Sequence, residues 1–317
     1  MCLFGSDSLL GAELKIFLQS SGVPFILPPL YIDLLDPGTL KRFSREPCRI
    51  TWIVHCAGLE SIDAAEKHPT LCFTRNVTMA ANLAAFAKDT GARLLYPSSA
   101  CVFCGASSRP YKASHPVSPK SVYGRSKAQG ERAVLSTDPD SVILRSGWLY
   151  GAYGDNFVFA LLRALRSKSP SCAAGDYTPV SVGWDLIGVP TWARDVAEVM
   201  TDIMCNPFIH FPAGIFQYAP SGRTSLWEVA CEIRHRAMEY GYLDQPVPIL
   251  PTNLGHDPFS ALQPKNTLLS SANLCSIHPV WVPDWKTSLH DFFYRFHREV
   301  PTLMDRPSPD LPSGILP

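Results

Sequence analysis

Tyr123-Gly124-Arg125-Ser126-Lys127 sets a phenol and an ammonium four residues apart, a separation that puts both on one helix face. There a lysine can lower the phenol pKa and hold a ribose hydroxyl. That suits a tyrosine giving its proton to a carbonyl under reduction. Ser98-Ser99 ends the preceding apolar run, where a hydroxyl can hydrogen-bond the same carbonyl oxygen. Ser99, Tyr123 and Lys127 are therefore the candidate catalytic residues. The competing reading of Lys127 is a solvated helix pair with Glu131, one turn on.

A second pattern, Gly5-Ser6-Asp7-Ser8-Leu9-Leu10-Gly11, follows the first apolar run. A dinucleotide-binding turn needs glycine there, so that backbone amides reach the pyrophosphate at a helix N-terminus. The outer glycines of a GxxGxxG spacing are present and the middle one is Ser8. Its Cβ stands where phosphate should come close and is expected to weaken binding. A plain strand–helix turn with a serine cap explains the pattern equally well. Cys101-Val102-Phe103-Cys104 has CxxC spacing, but no second CxxC or histidine pair completes four ligands, so no metal is expected. Asn76-Val77-Thr78 reads as a chance sequon.

These residues need a scaffold of strands and crossover helices. Short apolar runs alternate with helical patterns through the first half, as in a parallel sheet. Strands are expected at Met1–Phe4, Phe25–Leu27, Leu30–Ile32, Ile50–His55, Ala92–Pro97 and Ser141–Arg145. Helices are expected at Leu9–Gln19, Thr70–Lys88 and Ser121–Leu135. Further on, Thr191 should cap a helix to Met204, Gly214–Tyr218 should form a strand, and Thr224 or Ser225 should cap a helix to Tyr240. The fold class is α/β, a doubly wound parallel sheet of Rossmann type with a smaller α/β C-terminal lobe. The dinucleotide domain is expected over 1–152 with return elements at 190–218, the lobe over 153–189 and 219–300, and a mobile proline-rich tail over 301–317.

Composition narrows the partners. The 317 residues are 46% hydrophobic and 18% charged, which excludes disorder. Lys+Arg and Asp+Glu are both 28, so no net field attracts nucleic acid. No apolar run reaches the length of a membrane span, and the N-terminus does not read as a signal peptide. Ten scattered cysteines suit a reducing compartment. A small-molecule substrate in the cytoplasm is expected, with no nucleic-acid or membrane partner and a homodimer left open.

Read together, the motifs resemble the extended short-chain dehydrogenases/reductases. The branch is the one that holds dTDP-4-dehydrorhamnose reductase and the regulatory β subunit of methionine adenosyltransferase. The resemblance runs from Gly5 to Ile277. It includes Asp33-Leu34-Leu35-Asp36, Ile53-Val54-His55-Cys56-Ala57, Asn76-Val77, Ser98-Ser99 with Val102-Phe103, Gly130-Glu131, Leu144-Arg145, Gly188-Val189-Pro190-Thr191 and Gln263-Pro264-Lys265-Asn266. It implies NAD(P) lying across the strand ends. By position, Gly5, Ser8, Leu9 and Leu10 would line the pyrophosphate, and Asp33 and Leu34 would approach the adenine. Cys56, Ala57 and Gly58 would border the nicotinamide ribose, with Tyr123 and Lys127. Substrate would meet Ala100, Cys101, Trp148, Asn156 and Pro190, although Trp148 reads equally well as a core aromatic.

Departures from the family pattern shape the functional expectation. An acid and a phenol beside the site are replaced by Ala100 and Cys101, and the glutamine of D-Q-x-G-x-P-T is replaced by Leu186. Fewer polar partners for sugar hydroxyls favour a less polar carbonyl or imine, such as a specialised metabolite. The expected activity is NAD(P)H-dependent reduction. The alternatives are a non-catalytic regulatory subunit, or epimerase, dehydratase or cyclase chemistry. NADP is expected to be preferred weakly over NAD, because Pro28 and Pro29 stand where an acid would accept the ribose 2′-hydroxyl. No neighbouring arginine is in sight to grip a 2′-phosphate.

Overall fold

Continuous apolar runs build a parallel sheet whose two faces are sorted by residue parity. The computed structural model describes residues 1–45, 47, 49–168, 179–208, 210–253, 263–300 and 302. In chain order, β1 (Cys2–Phe4) leads into α1 (Leu9–Ser20), followed by α2 (Pro37–Phe43), β2 (Trp52–His55) and α3 (Ile62–Lys67). Next, α4 (Pro69–Phe73) continues through a π-helical turn (Thr74–Thr78) into α5 (Met79–Thr90). β3 (Arg93–Ser99), a 3-10 turn (Ala100–Val102), α6 (Val122–Thr137) and β4 (Val142–Ser146) complete this half. The rest comprises β5 (Leu149–Tyr150), α7 (Phe157–Ser167), β6 (Val180–Gly183), β7 (Ile187–Gly188), β8 (Thr191–Trp192) and α8 (Ala193–Cys205). After these come β9 (Gly214–Gln217), β10 (Thr224–Ser225), α9 (Leu226–Glu239), β11 (Ile249–Thr252), α10 (Ala272–Cys275) and α11 (Trp285–Phe296).

The central sheet has the order β1-β2-β3-β4-β9 with every pairing parallel. Alternate residues point to opposite faces of a strand. Leu3, Val54, Leu95 and Leu144 accordingly pack with Leu14 and Leu18 of α1 and with Val196 and Met200 of α8. Phe4, Ile53, Leu94 and Ile143 pack with Leu83 and Ala87 of α5 and Val134 of α6. This is the expected doubly wound α/β arrangement, and it brings the ends of β1, β2 and β3 to one edge, where such sheets bind ligands. A second core joins α7, α9 and α11 to β6 and β11 through Phe159, Leu162, Val182, Ile233 and Phe292.

The departures from expectation have local causes. The strands expected at Phe25–Leu27 and Leu30–Ile32 reduce to one bridge, Ile26 against Cys2. Pro24, Pro28 and Pro29 remove the amide donors that a longer ladder needs. Thr191 does not cap α8: the cap position is Trp192, and the Thr191 hydroxyl donates to Val189 O at 3.2 Å. Ser225, by contrast, makes a full capping box with Glu228. The proline-rich stretch from 303 to 317 lies outside the described residues.

Candidate active site

The ends of β3 and α6 meet at a closely packed corner. Ser121 caps α6 by accepting from Gly124 N at 3.0 Å. Gly124 has a packing reason, since a Cβ there would lie 2.2 Å from Cys101 O. That close approach brings the first turn of α6 against the 3-10 turn that follows Ser99. Ser99 is 8% exposed and accepts from Cys101 N at 3.2 Å. It stands close enough to the Tyr123 phenol to favour the ionised form of that phenol. Lys127 donates to Pro97 O at 2.7 Å and lies 4.3 Å from the Tyr96 ring centroid. The structure therefore gathers Ser99, Tyr123 and Lys127 at one strand end.

Two expectations about the corner are corrected. Lys127 does not pair with Glu131, whose carboxylate is taken by Arg145 at 2.6 Å. The Tyr123 phenol is not lowered: burial, then Cys101 and Glu60, push it well above its ordinary value, and Ser99 pulls the other way. Lys127 turns its charge to the strand carbonyl instead. Beneath it, His55 is 1% exposed and stacks on Tyr96 with 5.5 Å between ring centroids. Neither imidazole nitrogen of His55 has a hydrogen-bond partner among the described residues. Burial and the Lys127 charge push its pKa down to about 3.

On the cofactor side, Gly5 takes φ +78°, and a Cβ there would lie 2.2 Å from Ala57 N. The turn after β1 thus presses against the end of β2. A Cβ at Gly11 would reach Gly5 O at 1.9 Å. Ser8 caps α1, its hydroxyl accepting from Gly11 N at 3.1 Å. Leu9 and Leu10 bury their side chains, and their amides belong to the first helical turn, which has no intrahelical acceptor. Such a glycine-lined helix start fits a pyrophosphate. Cys56 is buried with its thiol raised by burial, and Ala57 and Gly58 are half-buried beside it.

The loop beyond β2 is held by Asn76, which the π-helical turn carries. Asn76 is 2% exposed; its Oδ1 accepts from Leu59 N at 2.9 Å and its Nδ2 donates to Leu59 O at 3.0 Å. At the adenine end, the exposed Asp33 accepts from Leu35 N at 2.9 Å, and Leu34 O accepts from Asn82 Nδ2 at 2.8 Å. One residue here escaped the sequence reading. The Arg42 guanidinium of α2 lies 4.2 Å over the Tyr31 ring, so an arginine does stand near the loop that replaces the second strand. The contact spans a turn and a helix start, and no local pattern announces it.

The expected substrate residues separate into two groups. Ala100 (1% exposed) and the half-buried Cys101 follow Ser99 directly. Half-buried Trp148 takes φ +47°, a conformation that costs a bulky residue roughly 1–3 kcal/mol and concentrates at functional sites. Its indole lies against Gly188, where a Cβ would come within 2.6 Å of the ring. Pro190 is buried next to β8. Asn156 is corrected: its Oδ1 accepts from Val158 N at 3.1 Å and its Nδ2 donates to Gly151 O at 2.9 Å. That amide is spent on capping α7. Lys265, from the Gln263–Asn266 motif, lies 3.4 Å from Asp185 and adds a cation.

No group of histidine, cysteine and acidic residues that could hold a metal occurs among the described residues. Nor is any described helix long and apolar enough to cross a membrane. Residues 1–298 match the family described as the RmlD substrate binding domain. A dTDP-4-dehydrorhamnose reductase of Streptomyces griseus is 35% identical over 224 residues, 70% of this chain and 70% of that protein. One from Burkholderia thailandensis is 28% identical over 289 residues, 89% and 94% of the two chains. The crystal structure of a dTDP-4-dehydrorhamnose reductase from Clostridium acetobutylicum matches with a TM-score of 0.81 at 26% identity, covering 93% of this chain and 98% of that one. The Bacillus anthracis enzyme, in complex with NADP, matches with a TM-score of 0.80 at 26% identity and the same coverage.

Proposed function

This chain belongs to the RmlD substrate-binding-domain family of extended short-chain dehydrogenases/reductases, and on that premise we propose that it reduces the keto group of a sugar-nucleotide intermediate with NADPH. The observation that carries this reading is the corner of Ser99, Tyr123 and Lys127 at the end of β3. The Tyr123 phenol carries its proton at neutral pH, as a general acid must, although its raised pKa makes it a weaker donor than a phenol lowered toward neutrality. Tyr123 gives that proton to the carbonyl oxygen, Ser99 hydrogen-bonds the same oxygen, and Lys127, anchored on Pro97 O, lies one turn along α6 from Tyr123. When bound, NADPH would supply a hydride for the carbonyl carbon. Gly5, Ser8 and the amides of Leu9 and Leu10 would hold its pyrophosphate, with Asp33 and Leu34 toward the adenine and Cys56, Ala57 and Gly58 toward the nicotinamide ribose. The NADP of the Bacillus anthracis relative supports the choice of cofactor.

One observation favours a second substrate class. Ala100, Cys101 and Leu186 offer no strong polar partner where the family pattern has an acid, a phenol and a glutamine. A less polar ketone would lose less at such a site. Recombinant protein should therefore be assayed for NADPH consumption against dTDP-4-keto-6-deoxysugars and a panel of less polar ketones. Turnover of the nucleotide sugars at least tenfold above the rest supports the first reading, and the reverse order supports the second. Tight NADPH binding with no carbonyl reduced would leave a cofactor-holding regulatory subunit.

A further inference from the structure

Behind the catalytic corner lies an ion pair that the chemistry above does not use. Arg145 of β4 is 2% exposed and Glu131 of α6 is 4% exposed. The guanidinium grips the carboxylate with two prongs, Nε to Oε1 at 2.8 Å and Nη2 to Oε2 at 2.6 Å. Ser98 donates its hydroxyl to the same Oε1 at 2.5 Å. Strand register sets Ser98 opposite Arg145 and Ser99 opposite Ser146. The cluster thus ties β3, β4 and α6 together one residue before Ser99 and one helical turn beyond Lys127.

Arg145 has a second arm. Its Nη1 donates to Ala113 O at 3.3 Å, and its Cζ lies 5.0 Å from the Phe103 ring. Phe103 stacks on Tyr111 with 4.3 Å between centroids. Tyr111 N donates to Leu268 O, and Ser270 N donates to Tyr111 O, each at 2.8 Å. One guanidinium therefore touches both the helix that carries Tyr123 and the loop that zips onto residues 268–270.

Burying such a pair does little for stability, because desolvation offsets the attraction, and apolar replacements of similar volume often fold as well. What a two-pronged fork supplies is a fixed distance and angle. We propose that Arg145 is a positioning residue. Through Glu131 and Ser98 it sets α6 against the end of β3. Through Ala113 and Phe103 it holds the 103–113 loop in register with them, so that the carbonyl arrives between Ser99 and Tyr123. The inference rests on the reductase reading for its kinetic arm only.

The paired variant Glu131→Met/Arg145→Met removes both charges and strands neither, whereas Arg145→Lys keeps the charge and loses the fork. The paired variant should unfold within a few degrees of wild type and bind NADPH with unchanged Kd. Its kcat should fall at least about thirtyfold and its KM should rise, with Arg145→Lys intermediate. Amide hydrogen exchange over 103–113 should speed at least about tenfold in both variants, and exchange in the β1–α1 turn should not change. Wild-type kcat and KM in a variant of wild-type thermal stability would overturn the proposal. So would unchanged exchange in the loop, which Arg145→Lys reports even where the paired variant does not fold. If wild type reduces no carbonyl, the reductase reading fails, and the exchange comparison still decides the role of Arg145.

Discussion

The corner where β3 meets α6 and the loop over residues 24–36 are built on opposite terms. At the corner, Ser98, Lys127 and Glu131 each engage a group on a neighbouring element, and Ser99 and Tyr123 stand beside them. Across residues 24–36, prolines limit sheet pairing to one bridge, and Asp33 and Asp36 spend their carboxylates on their own turns. Where a proton must move along one line, many contacts over-determine the geometry. If the 24–36 loop covers a nucleotide as proposed, a proline-stiffened turn with one stacked cation suffices there.

Substitutions should separate these regions by size of effect. Tyr123→Phe removes the proton donor and should lower kcat by about 10²–10⁴-fold, with NADPH affinity in calorimetry nearly unchanged; wild-type-like turnover would end the acid assignment. His55→Phe keeps the stack on Tyr96 and removes a base held neutral at a pKa of about 3 against its ordinary 6.5. The unfolded chain binds a proton that the folded chain refuses, so this residue costs the wild type stability as pH falls through that window. The variant should gain on wild type by roughly 1.4 kcal/mol per pH unit below about pH 6.5, or about 2 kcal/mol by about pH 5. Denaturant unfolding at several pH values checks it, and a gap that does not grow toward acid would contradict it.

On the loop side the effects should be smaller. Arg42→Ala should weaken NADPH binding by about tenfold, roughly 1.4 kcal/mol, and leave NADH binding alone; equal losses for both would remove Arg42 from 2′-phosphate recognition. Ser8→Gly gives up a hydroxyl cap, worth only a few tenths of a kcal/mol when glycine replaces it. Calorimetry should show NADPH binding no more than about threefold tighter. A larger gain would mean that the serine, despite turning back onto Gly11, still obstructs the phosphate.

What the sequence made legible follows the range of the interactions. The buried strands, the α6 face with Tyr123 and Lys127 and the glycine turn at Gly5 are written in short-range periodicity and backbone need. The strand at Phe25–Leu27 misleads because apolar character and donor supply conflict there, and the prolines win. Asn156 misleads because an asparagine before a helix serves as a cap whatever else stands nearby. The stacking of Arg42 on Tyr31 and the turning of Lys127 to Pro97 depend on where separate elements come to rest. No local pattern contains that.

The π-helical turn at Thr74–Thr78 also constrains how this chain can change in length. A π turn carries one residue more than the α-helix around it needs, so deleting one residue there would leave a continuous helix. The flanking segments would keep nearly their present phase, because the wide turn already absorbs the extra residue, but the side chains within the turn would be redistributed around the helix. Asn76 would swing off the Leu59 backbone that it clasps from both sides, and the segment after β2 would lose its tether. Substitutions in this stretch can be absorbed one side chain at a time. A shift in the count of residues would be felt in the segment after β2, well away from the helix in which it occurred.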